Sequence, residues 1–128
     1  MPLRRLLAAA VLVLAAGCEY RNPVVPSASA LVAFRVGSET FRVRVFNDQI
    51  DAAYRAASGS RVRVPNGRIV AGADINSGWS WHLDDVVFTE ATTEVCDGRP
   101  SDVERAGVGF GGGRFCPWAS EIATIIIE

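Results

Sequence analysis

The sequence predicts an α+β domain: a small, mainly antiparallel sheet with one main helix, a short second helix and one disulfide. Three observations predict it. Residues 41–45, Phe-Arg-Val-Arg-Val, alternate strictly between apolar and arginine, the period of a half-buried strand. Directly afterwards Ile50, Ala53, Tyr54 and Ala57 recur at helical spacing. Late in the chain, Cys96 and Cys116 form an even pair, which in an exported protein reads as a single bridge.

Export follows from the first residues. Arg4 and Arg5 precede an unbroken apolar run from Leu6 to Ala16. The run is too short to span a bilayer, which takes about 20 apolar residues, and it has the layout of a secretory signal. Its end, Leu14-Ala15-Ala16-Gly17-Cys18, resembles a bacterial lipoprotein signal, in which the cysteine becomes the first mature residue and carries lipid. Residues 1–17 are then the signal peptide, with Cys18 as the lipidation site. The resemblance places the protein in the bacterial cell envelope, lipid-anchored and extracytoplasmic. Glu19, where an aspartate would favour retention at the inner membrane, points to the outer membrane if the source has one.

Removing residues 1–17 takes away two of the 13 basic groups and none of the 14 acidic ones, so the mature chain carries a net charge near −3. Nothing in this balance suggests a nucleic-acid partner. Every basic side chain is arginine. With Cys18 assigned to lipid, a Cys96–Cys116 bridge closes a loop of about twenty residues and contributes roughly 3 kcal/mol on the chain-entropy account.

Residues 18–30 hold two prolines among small polar residues and read as a flexible tether. Residues 31–128 then form a single domain. A strand is expected over 31–36, a turn over 37–39 and the alternating strand over 41–45, with Phe41, Val43 and Val45 facing inward. Asn47 or Asp48 is placed to cap a helix running to Ala57, Asp51 sits four residues before Arg55, and Gly59 suits the position past the helix end. Residues 61–64 alternate again. Pro65-Asn66-Gly67 is a turn signal, with a short strand after it over 68–71. Residues 86–95 form the longest strand candidate. Ser101 and Glu104 have capping-box spacing at the start of a short helix. Four glycines in 108–113 make a flexible loop without the surroundings of a phosphate cradle. The β-branched run 122–127 reads as a final, central strand.

The chemistry is concentrated in residues 76–85, Asn-Ser-Gly-Trp-Ser-Trp-His-Leu-Asp-Asp. The segment holds two of the three tryptophans and the only histidine. Asn76, Trp79, Trp81, His82 and Asp84, with Trp118 brought near by the disulfide, are the candidate ligand-binding residues. Trp79 and Trp81 are two apart and share a face if extended, making either a platform for a sugar or peptide or a part of the core. His82 with Asp84 and Asp85 offers a metal contact or a general base. The alternative is a histidine held in a hydrogen-bond network between the tryptophans and a backbone carbonyl. One histidine without a fixed-spacing partner does not make a metal site. Starting from Asp74, an EF-hand would need glycine and glutamate where Trp79 and Asp85 stand. No cofactor is implied and no catalytic residue is assigned. Arg42, Arg44, Arg61 and Arg63 would share one surface if their strands paired.

Together these motifs are similar to a family of small secreted domains labelled calmodulin-binding-protein-like. The resemblance rests on Trp79-Ser-Trp-His82-Leu-Asp84, Cys96-Asp-Gly-Arg-Pro100 and Cys116-Pro-Trp118, and covers about residues 31–127. It departs at Asp85, where the family has proline. It implies an extracytoplasmic, disulfide-bearing, non-enzymatic domain. No basic amphipathic helix of the calmodulin-target type is present. The function expected is a lipid-anchored binding or interaction module for a protein, peptide or glycan. Two alternatives stand beside it. One is a small metal-dependent or hydrolytic enzyme using His82 with Asp84 or Asp85. The other is a structural envelope protein whose arginine stripe lies on acidic lipid or polymer.

Overall fold

The structure, a computed structural model, describes residues 28–59, 63–91 and 94–128. The signal peptide, Cys18, most of the tether, Arg61 and Val62 lie outside the described residues. The α+β prediction holds: the described chain has two antiparallel three-stranded sheets, one main helix, one short helix and the Cys96–Cys116 disulfide.

The first sheet has the order β2-β1-β6, with β1 over Ser29–Val36, β2 over Glu39–Phe46 and β6 over Ser120–Ile127. β1 and β2 form a hairpin closed at Val36 and Glu39, with Gly37 at φ 62° in its two-residue loop. The alternation read from the sequence is realised: Phe41, Val43 and Val45 are buried while Arg42 is exposed. The last strand, however, is an edge strand and not a central one. It pairs only with β1, and Ile126 and Ile127 are 58% and 55% exposed. β1 is central because its backbone is paired along both edges, with β2 on one side and β6 on the other. A β-branched run gives strand propensity but does not fix a place in the sheet.

The second sheet has the order β4-β3-β5, with β3 over Arg63–Ala71, β4 over Trp81–Glu90 and β5 over Arg114–Phe115. Pro65-Asn66-Gly67 is not a turn. It lies within one continuous strand, and the pairing with β4 slips there: Asn66 faces Val87 and Arg68 faces Asp84, so Asp85 and Val86 together oppose Gly67. That is a β-bulge, with Asp85 at φ 51°. Proline could not take this φ. Gly67 is required for close approach: a Cβ there would sit 2.9 Å from the Leu83 Cβ and 3.2 Å from the Asp84 carbonyl oxygen. Pro65 costs no ladder bond because β5 pairs only at Gly67 and Arg68. The strand expected over 86–95 therefore starts earlier, at Trp81, and ends at Glu90.

The two sheets face each other across one core. Phe34 and Phe41 stack at 5.0 Å, Phe41 meets the Phe115 ring at 5.3 Å, and Phe34 reaches Phe88 at 6.0 Å. The main helix, α1 over Asp48–Ala57, buries Ala52 and Ala53 and touches strands of both sheets. Its start has no side-chain cap; Asn47 sits at φ 50° and donates its backbone N–H to the Ala28 carbonyl. Gly59, at φ 73°, follows the helix end as expected. The short helix, α2 over Pro100–Ala106, is capped by Asp102, whose carboxylate accepts the Arg99 N–H at 2.8 Å. Ser101 and Glu104 are engaged elsewhere: Ser101 donates its N–H and hydroxyl to Glu39, and Glu104 accepts both from Ser80. The glycine-rich stretch is not loose. It forms short 3₁₀ turns over Gly107–Gly112, and Phe110 within them packs on Phe115 at 6.0 Å.

The arginine stripe does not form. Arg42 and Arg44 belong to β2 in one sheet and Arg63 to β3 in the other. Arg44 instead holds Glu128 through two hydrogen bonds of 2.8 and 3.1 Å, and Ser29 adds a third. These bonds, Arg44 first and Ser29 second, draw the Glu128 carboxyl down to about 2 from 4.5. A depressed carboxylate value stabilises the fold fully above the ordinary value, and the gain is lost as pH falls from about 4.5 toward about 2. The urea midpoint of the natural chain should therefore fall more steeply over that interval than that of Glu128→Gln. Parallel curves would disprove the coupling.

Candidate functional site

Residues 76–84 leave the end of β3 through a short loop and enter β4, so half of the segment is strand. Period-2 alternation then divides its side chains between two faces. Trp81 and Leu83 point into the core, while His82 and Asp84 lie on the other face of β4. The candidate residues thus do not converge on one surface.

Trp81 is 3% exposed. Its rings lie 5.5 Å from Phe115, 6.1 Å from Phe41 and 6.1 Å from Trp79. Trp79 is half-buried beside it and donates its indole N–H to the Thr40 carbonyl at 2.7 Å, on the open edge of β2. Asn76 is 1% exposed and works from both ends of its amide. Its oxygen accepts the Arg42 N–H at 2.9 Å, and its nitrogen donates to the Trp81 carbonyl at 2.9 Å. Asn76 therefore replaces the missing ladder partner between the open edge of β2 and the start of β4. Gln49 of α1 does the same further along, accepting the Phe88 N–H at 3.0 Å.

Asn76→Ala removes both bonds and leaves a buried donor and a buried acceptor unpaired. An expected loss of about 2–3 kcal/mol follows. Urea unfolding followed by circular dichroism measures it, and a loss below about 0.5 kcal/mol would show the strap to be dispensable.

His82 is held by a backbone carbonyl, but not between the tryptophans, since it faces away from Trp81. Its Nδ1 lies 2.7 Å from the Gly72 carbonyl oxygen, which can only accept, so Nδ1 carries the proton. Nε2 lies 3.5 Å from Asp84 Oδ1, and the side chain is 15% exposed. Asp84 is shared with Arg68, whose guanidinium also faces Asp85 at 3.7 Å. Asp85 thus turns toward Arg68 on the bulge. Among the described residues no group of three His, Cys, Asp or Glu side chains is placed to hold a metal ion.

Trp118 belongs to a separate small cluster with Val64 and the buried disulfide. The Cys96 and Cys116 Cα atoms are 5.1 Å apart, and the Cys116 N–H donates to the Cys96 carbonyl at 2.8 Å. Asp97 clamps the same corner, accepting the N–H groups of Gly98 and Trp118 at 2.9 and 2.8 Å. The disulfide thus braces β5 and the loop before α2. It does not bring Trp118 to Trp79.

The surface feature that single-residue motifs missed is a groove between the end of β2, the start of α1 and β4. It encloses about 500 Å³ and is lined by Phe46, Asn47, Asp48, Asp84, Val86 and Val87 among others. A hollow of about 70 Å³ against Asp74 and Ile75 adjoins it, and the two share Phe46, Asp84 and Asp85. Phe46 is 50% exposed there. The non-glycine residues of positive φ among those described, Asn47, Asp74 and Asp85, all line this pair. Such conformations persist only where the surroundings impose them. The signal in the sequence was Phe46 itself, an apolar residue at the place where the strand alternation calls for a polar one.

The family described as BP-74 N-terminal domain matches residues 28–127, well over half of the chain and all six strands. No curated protein and no solved structure matches.

Proposed function

The chain belongs to the family of BP-74 N-terminal domains, and on that premise we propose that it is a lipid-anchored, extracytoplasmic binding module without catalytic activity. One observation carries the reading. The side chains best equipped for chemistry are already engaged within the fold: Asn76 and Trp79 bond the backbone of β2 across the two sheets, His82 bonds the Gly72 carbonyl, and both late cysteines form a disulfide. A surface groove with a half-exposed phenylalanine is lined by other side chains, Asp84 among them. The disulfide supports a compartment in which thiols oxidise. The lipoprotein-like end of the signal and the tether support anchoring through Cys18, and the likeness to calmodulin-binding-protein-like domains points the same way.

The partner is a protein, peptide or glycan of the envelope. Photo-crosslinking in cells tests this, with p-benzoylphenylalanine placed in turn at positions 46, 87, 108 and 126, whose side chains are exposed. A discrete adduct at one or more positions is expected. No adduct at any position overturns the reading. Labelling with a palmitate analogue that persists in Cys18→Ser would overturn the anchor.

A further inference from the structure

Resting on the binding-module reading, we propose that the groove bounded by β2, α1 and β4 docks a basic polypeptide segment. Such a segment presents an arginine or lysine beside an apolar side chain. The walls supply both halves of that recognition. Phe46, Val86 and Val87 give an apolar surface, and Phe46 and Val87 are exposed along it. Asp48, Asp74, Asp84 and Asp85 rim the groove and its adjoining hollow, against Arg44 in the lining and Arg68 beside it. Arg44 is already occupied by Glu128. Arg68 engages Asp84 and Asp85. Asp48 and Asp74 form no hydrogen bond or ion pair among the described residues, although Asp74 lies near enough to attract Arg44.

These carboxylates are solvent-exposed, so each pulls on a cation weakly and through screening salt, and the attraction comes from their number. An arginine or lysine placed over the exposed ring of Phe46 gains a cation–π contact as well. A neutral glycan would leave the carboxylates unused, and an anionic partner would be repelled. Without a three-ligand group among the described residues, a polypeptide cation fits the groove better than a metal ion.

The test uses the full lipidated chain in a neutral detergent and a fluorescein-labelled nonapeptide of alternating arginine and leucine. The same peptide with glutamate for arginine is the reference. Anisotropy should show the basic peptide binding and the acidic one not, with affinity falling as salt rises. Asp48→Asn with Asp74→Asn should weaken binding about tenfold, and Phe46→Ala about fivefold. Glu121→Gln, in β6 opposite Arg35 and outside the groove, should leave it within about twofold.

Equal affinity in the groove variants overturns the proposal, as does an equal loss in Glu121→Gln, which would mark general attraction. If Arg21→Gln raises peptide affinity about tenfold, the chain's own tether fills the groove and the proposal falls. It falls too if the groove variants instead abolish a concentration-dependent dimer. In each case crosslinked adducts elsewhere on the surface would keep the binding-module reading alone. Absence of adducts everywhere would remove that reading, whatever the peptide does.

Discussion

Trp81→Ala should lower the unfolding free energy by about 3–5 kcal/mol, the range for removing a buried large aromatic. Trp81 lies at the centre of the ring cluster, touching Phe41 of one sheet and Phe115 of the other. Deleting the indole leaves a cavity that backbone cannot collapse into, because both sheets are held apart by the remaining rings. Domains of this size are stable by about 5–15 kcal/mol, so the loss takes a large share of the total. The sequence by itself allowed the opposite outcome, a ligand platform whose loss leaves folding intact. Urea unfolding followed by far-UV circular dichroism decides between them. His82→Ala should cost less, because its ring lies outside the core and gives up one bond to a backbone carbonyl. A loss for Trp81→Ala below about 1 kcal/mol would contradict its place in the core.

The second large effect is expected on removing the disulfide. Cys96 and Cys116 are 20 residues apart, and opening that loop costs about 3 kcal/mol in chain entropy. A paired alanine variant should melt on the order of 10–20 °C lower. The loss should centre on one corner. The Asp97 carboxylate bonds two backbone N–H groups there, and Gly111 lies so near Cys96 that a Cβ would approach its Cα to 2.8 Å. Hydrogen exchange should therefore accelerate first at Gly98 and Trp118, with the β1–β2 hairpin protected longest. Uniform acceleration across both sheets would show the bridge to be part of the global unfolding unit instead.

Particular residues show how far local pattern reaches. Phe41, Val43 and Val45 were legible as an inward face because period-2 alternation is a property of one strand alone. The α1 helix was legible as a helix but not in its inward face: Tyr54 and Ala57, expected on it, are exposed, and Ala52 is buried beside Ala53. Pro65-Asn66-Gly67 misled because its turn chemistry is also what a bulge needs: a residue with no ladder donor, then a glycine that lets the Asp85–Val86 step approach. Ser101 and Glu104 misled because capping-box spacing says which atoms are available and not which partners arrive. Glu39 and Ser80, 62 and 24 residues away along the chain, engaged them first.

The site was legible as a place and not as a role. The cluster at 76–84 is important to the molecule, and its polar and aromatic composition announced that. What it holds was decided by the open edges of β2 and β4, whose unpaired backbone groups require partners once buried. Asn76 and Trp79 supply some of them. The groove at Phe46 had one linear sign, the apolar residue at a polar place in β2, and no more, since its walls come from three elements spread over some forty residues.

Sequence alone determined the class of the fold, the presence of the helix, the inward face of β2, the pairing of the two late cysteines and the expectation of export. Each follows from short-range periodicity, composition or simple counting. Tertiary structure alone decided that the strands divide into two sheets, that β6 is an edge, that Trp81 and His82 face opposite ways, and which carboxylates meet around Phe46. Those outcomes depend on which distant segment satisfies a given backbone edge or fills a given core position, and that competition is settled only when the whole chain packs together.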